Sequence, residues 1–117
     1  MHALGYNYAG LMGNNPGLLQ KIESISESLP EKVWRLPLDA AMMEATKSEI
    51  ADYRNATSSH KAGASLGAAF IANFVPTDIA FAHLDIAAPA YRTKASGVFP
   101  SEATGFGTLI GIALLGL

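Results

Sequence analysis

Apolar and polar positions along this chain keep two different periods, and their changeovers mark the elements. Leu18, Ile22, Ile25 and Leu29 recur three and four residues apart, with Lys21, Glu23, Glu27 and serines between them. That spacing predicts an amphipathic helix. Asn15-Pro16 suits its start, because Asn caps and Pro fits the first turn, and Pro30 stops it. Before it, residues 3–13 read as a short strand broken by glycines, where backbones approach closely. After it, residues 33–38 are apolar but interrupted by Pro37, which predicts an edge strand or an extended loop. Asp39 is a good N-cap for a helix over 40–48, on which Glu44 and Lys47 are placed to pair. Residues 50–56 fit a strand or an irregular excursion, and 57–61 are polar and loop-like.

The second half changes character. Residues 62–75 predict a helix built largely of Gly and Ala, with Leu66, Phe70 and Phe74 as its one large stripe. Such a helix can lie very close to a sheet, and Pro76 ends it. Residues 79–86 are almost continuously apolar, which predicts a strand covered on both faces. Residues 92–102 read as loop. Thr104 or Ser101 is expected to cap a final helix striped by Phe106, Leu109, Ile110, Ala113, Leu114 and Leu117. Ile112 and Leu115 make its other side apolar too, so it needs cover all round. Helices alternating with strands imply an α/β layer architecture. Two or three strands would leave apolar surface open unless others complete the sheet.

Composition narrows this further. A chain of 117 residues has room for one domain and one core. With 50% hydrophobic and 15% charged residues, it is too apolar for disorder. A net charge of -2, with scattered Lys and Arg, gives no electrostatic case for nucleic acid. The absence of cysteine removes disulfides, thiolate metal sites and a cysteine nucleophile, and suits a cytoplasmic setting. The first residues have neither the basic nor the long apolar region of a secretory signal. The charge-free tail 103–117 carries Gly107 and Gly111 at the spacing of a membrane dimer face, as do Gly63 and Gly67. It falls short of the roughly 20 residues a hydrocarbon core requires and lacks flanking basic residues, which favours a buried helix and no membrane.

Candidate chemistry is sparse. Glu23, Glu27 and Glu31 are placed on an exposed helix face and its end, and Glu44 and Glu49 flank Lys47, so all five read as solvated charge. His83 and Asp85 share one face of a strand. Such a pair could ligate a metal or form a relay, but nothing nearby completes a ligand set, and a buried pair satisfied by backbone is the better reading. His60 and His2 lack a helical H-E-x-x-H partner. Ser65, in Gly63-Ala64-Ser65-Leu66-Gly67, has no strand-to-turn context for a nucleophile elbow. Gly13 to Gly17 reads as a turn into a helix rather than a phosphate loop. Gly105 and Gly107 could bind an anion through free N–H groups but better suit a close-packed helix start. The residues themselves therefore nominate no catalytic group and no metal ligand.

A resemblance supplies what the residues do not. Ala3-Leu4-Gly5, Tyr8 to Asn14, Val33-Trp34-Arg35-Leu36-Pro37-Leu38, and Lys47-Ser48 with Ala51-Asp52 and Asn55 come in order. Ala62-Gly63-Ala64 with Ala68-Ala69-Phe70, His83-Leu84-Asp85-Ile86-Ala87, and Ala103-Thr104-Gly105 follow. Together they resemble the C-terminal part of the leucine aminopeptidases, the cytosol aminopeptidases. The resemblance implies the C-terminal part of a three-layer α/β/α domain with a mixed sheet, so residues 1–117 form a single partial domain. It implies a hydrolase of the N-terminal peptide bond that uses two divalent metals, Zn or Mn, in a cytoplasmic hexamer acting on peptides. The family's metal ligands and its catalytic lysine and arginine belong to an upstream part. This chain alone is then expected to bind no metal and to be inactive. By the same resemblance, Ala87 and Ala90 line the pocket for the substrate's first side chain, and Ala56 lies near the second. Ala88-Pro89-Ala90-Tyr91 stands where the family has Gly-Thr-Ala-Trp, and Pro89 removes a donor there. The final helix lacks the family's polar positions. An alternative is a non-catalytic oligomerisation or interaction module that keeps the aminopeptidase shape.

Overall fold

The structure, a computed structural model, describes residues 3–56 and 61–117. Its centre is the first strand, β1 (Tyr8–Gly13), whose residues 9–12 are all buried. On one side β1 pairs in parallel with β2 (Lys32–Arg35), and on the other it pairs antiparallel with β3 (Ala82–Asp85). The order β2-β1-β3 makes a three-stranded mixed sheet. The strand expected over 79–86 to be covered on both faces is therefore shorter and lies at an edge, with all four residues only partly buried. The central place belongs to the glycine-containing strand, because Gly10 and Gly13 permit the close approach the middle of the sheet demands. A Cβ on Gly13 would come within 2.3 Å of the Phe81 carbonyl oxygen.

Helix α1 (Pro16–Glu27) begins as its sequence predicts: the Asn15 side chain accepts from the Leu18 N–H at 2.9 Å. The residues it buries are Leu19, Ile22 and Ser26, while Leu18 and Leu29 pack at the margin of the core. The stripe is thus turned by one residue from the expected one. Ser26 explains part of the turn, since its hydroxyl donates to the Glu31 carbonyl at 2.7 Å and accepts from the Val33 N–H at 3.0 Å. A polar side chain can sit on the buried face because β2 offers it a donor and Glu31, just before β2, an acceptor.

Helix α2 (Ala40–Ala45) is capped by Asp39, which accepts from Met42 N–H, and Glu44 pairs with Lys47 at 2.6 Å. Residues 50–56 are irregular, with one isolated bridge between Lys47 and Tyr53. Helix α3 (Gly63–Ala72) turns its small residues inward: Ala68 and Ala69 are fully buried, while Phe74 beyond its end is 64% exposed. The close approach comes from the alanines, and the aromatic side contacts Tyr53 instead.

Residues 92–102, expected as loop, include ends of a short antiparallel pair, β4 (Tyr91–Arg92) with β5 (Glu102–Ala103). The last helix, α4 (Thr108–Leu114), starts later than expected, and its N-cap is Gly107, not Thr104 or Ser101. Thr104 is occupied elsewhere: its hydroxyl donates to the Pro89 carbonyl and accepts from Phe106 N–H. Two first-turn donors of α4 go instead to Glu31. Its carboxylate, only 1% exposed, accepts from Leu109 N–H at 3.2 Å and Ile110 N–H at 2.8 Å. Glu31 is accordingly not the solvated charge its sequence context suggested.

Side chains alternate across the sheet. Ala9, Leu11, Val33 and Leu84 form a core with Leu19, Ile22, Phe106 and Ile110 on the α1 and α4 side. Met12 is buried too, and helix α3 packs against β1 and β3. Helices on both faces of a mixed sheet give the α/β architecture expected.

Candidate functional site

A cavity of about 330 Å³ opens beside β1, where the start of α3 meets the end of β3 and the segment leaving β2. Leu4, Tyr8, Gly10, Leu36, Ser65 and Ala88 contribute to its wall, with the Asp85 side chain at its polar edge. Gly10 keeps that wall flat. A Cβ there would meet Leu36 Cδ1 at 2.9 Å and Asp85 Cβ at 3.7 Å. The first turn of α3 also lines the space, and its N-cap Ala62 holds a left-handed backbone (φ 52°) with no side-chain cap. Among the described residues, no side chain caps that turn as Asn15 and Asp39 cap α1 and α2.

The loop after β3 is pinned at each step. Asp85 Oδ1 accepts from Ala87 N–H at 3.0 Å, and Ala90 N–H donates to the Ile86 carbonyl at 2.9 Å. The Pro89 carbonyl receives the Thr104 hydroxyl, and the Ala90 carbonyl receives Thr104 N–H at 3.0 Å. Pro89 has no N–H to donate, and its carbonyl is the one the Thr104 hydroxyl reaches. Ala88 is thereby fixed against the cavity with 4% exposure.

Of the residues singled out from sequence, Ala87 is exposed, Ala90 is half-buried behind Ala88, and Ala56 is exposed in the irregular segment before 57–60. The cavity wall itself draws on Ala88 rather than on these three. His83 and Asp85 pair with Met12 and Gly10 across the ladder, and no hydrogen bond joins them. His60 and His2 lie outside the described residues. Ser65 is buried on α3, with no elbow around it. The contributions of Tyr8, Leu36 and the start of α3 were missed. The signal for α3 was its run of small residues, which was read only as packing.

The donor set does not fit a divalent metal. Among the described residues no three His, Asp or Glu side chains come together, and the nearest acid, Asp85, is engaged by Ala87. The cavity is apolar with few polar groups, which suits binding a side chain.

An α/β sheet with a cavity beside its central strand hosts many unrelated functions, so the fold alone leaves the class open. The chain belongs to the cytosol aminopeptidase family: the model of that family's catalytic domain matches residues 1–111. It is 44% identical over 105 residues to a probable cytosol aminopeptidase 1 of Shewanella oneidensis, covering 90% of this chain and 21% of that protein. It is 43% identical over 113 residues to a probable cytosol aminopeptidase of Chlorobium phaeobacteroides, covering 97% and 22%. Among solved structures, the bottromycin maturation enzyme BotP superposes with a TM-score of 0.89 at 35% identity, over 97% of this chain and 25% of that one. BotP in complex with Mn gives 0.88. The chain thus spans about a fifth of the length of the curated relatives it matches. No helix of the described residues is long and apolar enough to cross a membrane.

Proposed function

We propose that this chain is the C-terminal segment of the catalytic domain of a leucyl aminopeptidase, and that its role there is to shape the substrate pocket. The observation that carries this is the family match over residues 1–111 together with the cavity held between β1, α3 and the loop after β3. In this reading two divalent metals, Zn or Mn, activate the water that cleaves the N-terminal peptide bond, and other parts of the whole enzyme hold them. What this chain supplies is orientation. The pinned loop at Ala87, Ala88 and Ala90 receives the first side chain of the peptide, and Ala56 lies toward the second. A pocket of alanines and glycine leaves room for a branched apolar side chain and excludes water from it. The whole enzyme is a cytoplasmic homo-oligomer, a hexamer as in the family, and its ligands are peptides rather than nucleic acid.

The 117-residue chain on its own is inactive in this reading. Metal content after dialysis and hydrolysis of leucine anilide with added Mn or Zn test this directly. No turnover and no stoichiometric metal are expected. Tight stoichiometric metal with chelator-sensitive turnover would overturn the assignment. A second reading, a non-catalytic module with the aminopeptidase shape, is favoured by the exposed apolar side of α4, where Leu115 is 75% exposed. Co-purification of a polypeptide bearing the family's metal-binding aspartates separates the two.

A further inference from the structure

A second cavity, of about 560 Å³, lies beyond the candidate pocket and is lined by Tyr6, Tyr91, Arg92, Thr93 and Lys94. The segments that bound it also bound the first cavity: Leu4 lines one and Tyr6 the other, and Ala88 lines one and Tyr91 the other. Its lining carries two cations and no carboxylate. The Arg92 side chain donates to Asn7 Oδ1 at 3.2 Å, its only side-chain hydrogen bond among the described residues, and its guanidinium lies 5.1 Å from the centre of the Phe99 ring. That ring holds the guanidinium plane in place without using its N–H donors. The Arg92 Nε–H is buried with no partner among the described residues and out of reach of a ligand in the cavity, so the donors Arg92 can offer are its terminal N–H groups. Guanidinium donors are normally matched to oxygen acceptors. Lys94 makes no ion pair with a described residue, and the phenols of Tyr6 and Tyr91 make no hydrogen bond with one.

The remaining charge close by is Glu102, paired with Arg92 across β4 and β5. It is exposed, has a left-handed backbone (φ 67°), and forms no ion pair with Arg92. The cavity lining therefore collects donors and positive charge, and Glu102 beside it forms no ion pair with Arg92.

We propose that this cavity binds a small oxyanion, a phosphate or a carboxylate group, through Arg92 and Lys94, with the tyrosine hydroxyls as further donors. The proposal does not rest on the aminopeptidase reading. The oxyanion comes either free in solution or as the carboxylate of a peptide.

The test is a titration of the 117-residue chain followed by the ¹⁵N signals of the Arg92 Nε–H and the amides of 91–94, at constant ionic strength. One arm uses inorganic phosphate. The other uses a short peptide with a free C-terminal carboxylate and, beside it, the same peptide amidated. Saturable shifts are expected in at least one arm. K94Q and R92Q should each weaken binding about tenfold or more, and E102Q should tighten it. Saturation by phosphate identifies a free-ion site, and discrimination between free and amidated peptide identifies a peptide carboxylate. Shifts that stay linear in both arms would overturn the proposal. So would an affinity unchanged in both K94Q and E102Q, exposed positions whose substitution leaves the core intact.

Discussion

Replacing Glu31 should loosen the last helix, because no other side chain among the described residues caps it. The Glu31 carboxylate is 1% exposed, makes no ion pair with a described residue, and accepts the N–H groups of Leu109 and Ile110. In Glu31→Ala both donors lose their partner. Leu109 is 38% exposed, so water can reach its N–H, whereas Ile110 is 2% exposed and its N–H stays orphaned. A buried orphan costs about 1–3 kcal/mol, and the lost interaction of a carboxylate with the helix terminus adds up to about 2. The alanine variant should therefore lose about 2–4 kcal/mol, more than the roughly 1 kcal/mol of an ordinary cap. Glu31→Gln keeps the shape and one acceptor oxygen but turns an NH₂ toward the second donor, so a loss of about 1–3 kcal/mol is expected. Urea unfolding measures the totals, and amide exchange at 109–111 locates them. Ile110 and Phe106 belong to the core shared with Ile22, so protection across α1 should fall as well. A loss under about 1 kcal/mol in Glu31→Ala, with exchange at Ile110 unchanged, would refute the reasoning.

Two glycines should respond in opposite directions. Gly13→Ala places a methyl 2.3 Å from the Phe81 carbonyl and should cost about 1–3 kcal/mol in urea unfolding, whereas Gly67→Ala, in open space within α3, should gain up to about 1 kcal/mol. Glu44, hydrogen-bonded to Lys47 and close to its charge, holds the Lys47 amine above the usual lysine range. Because that value is raised on folding, the pair's stabilisation is full below the unfolded lysine's pKa and is lost as pH rises through the folded one. NMR titration of Lys47 in Glu44→Gln should return the amine toward its ordinary value, and an unmoved titration would remove Glu44 as the cause.

Local features were legible where the physics is local. Asn15 and Asp39 cap the helices their positions indicated, and Glu44 meets Lys47 one turn on. The small residues of 62–75 announced a helix that lies close to the sheet. What escaped depends on packing between distant segments. Glu31 sits at the end of a polar helix in sequence, and only the arrival of α4 buries it. Thr104 has the chemistry of a cap, but the Pro89 carbonyl, fifteen positions back, claims its hydroxyl. The 79–86 run reads as a central strand because it is apolar. Asn14 instead takes its first part out of the ladder, donating to the Ile79 carbonyl and accepting from Phe81 N–H. A side-chain amide standing in for a strand neighbour leaves no trace in hydrophobic periodicity. Ala87, Ala90 and Ala56, the alanines expected around the pocket, do not line this cavity, whose wall draws on Ala88 in the turn that Asp85 makes with Ala87.

The middle place of β1 in the sheet has a consequence for synthesis. Within this segment β1 is made before both of its neighbours, and its parallel neighbour follows after a single helix. Its other neighbour pairs Gly10 with Asp85, so that edge closes only after residue 85 has been made. Closing so long a loop is slow, and until then one side of the most buried strand has no hydrogen-bonding partner. The nascent chain thus passes through an interval in which its future core is an open template for the wrong strand.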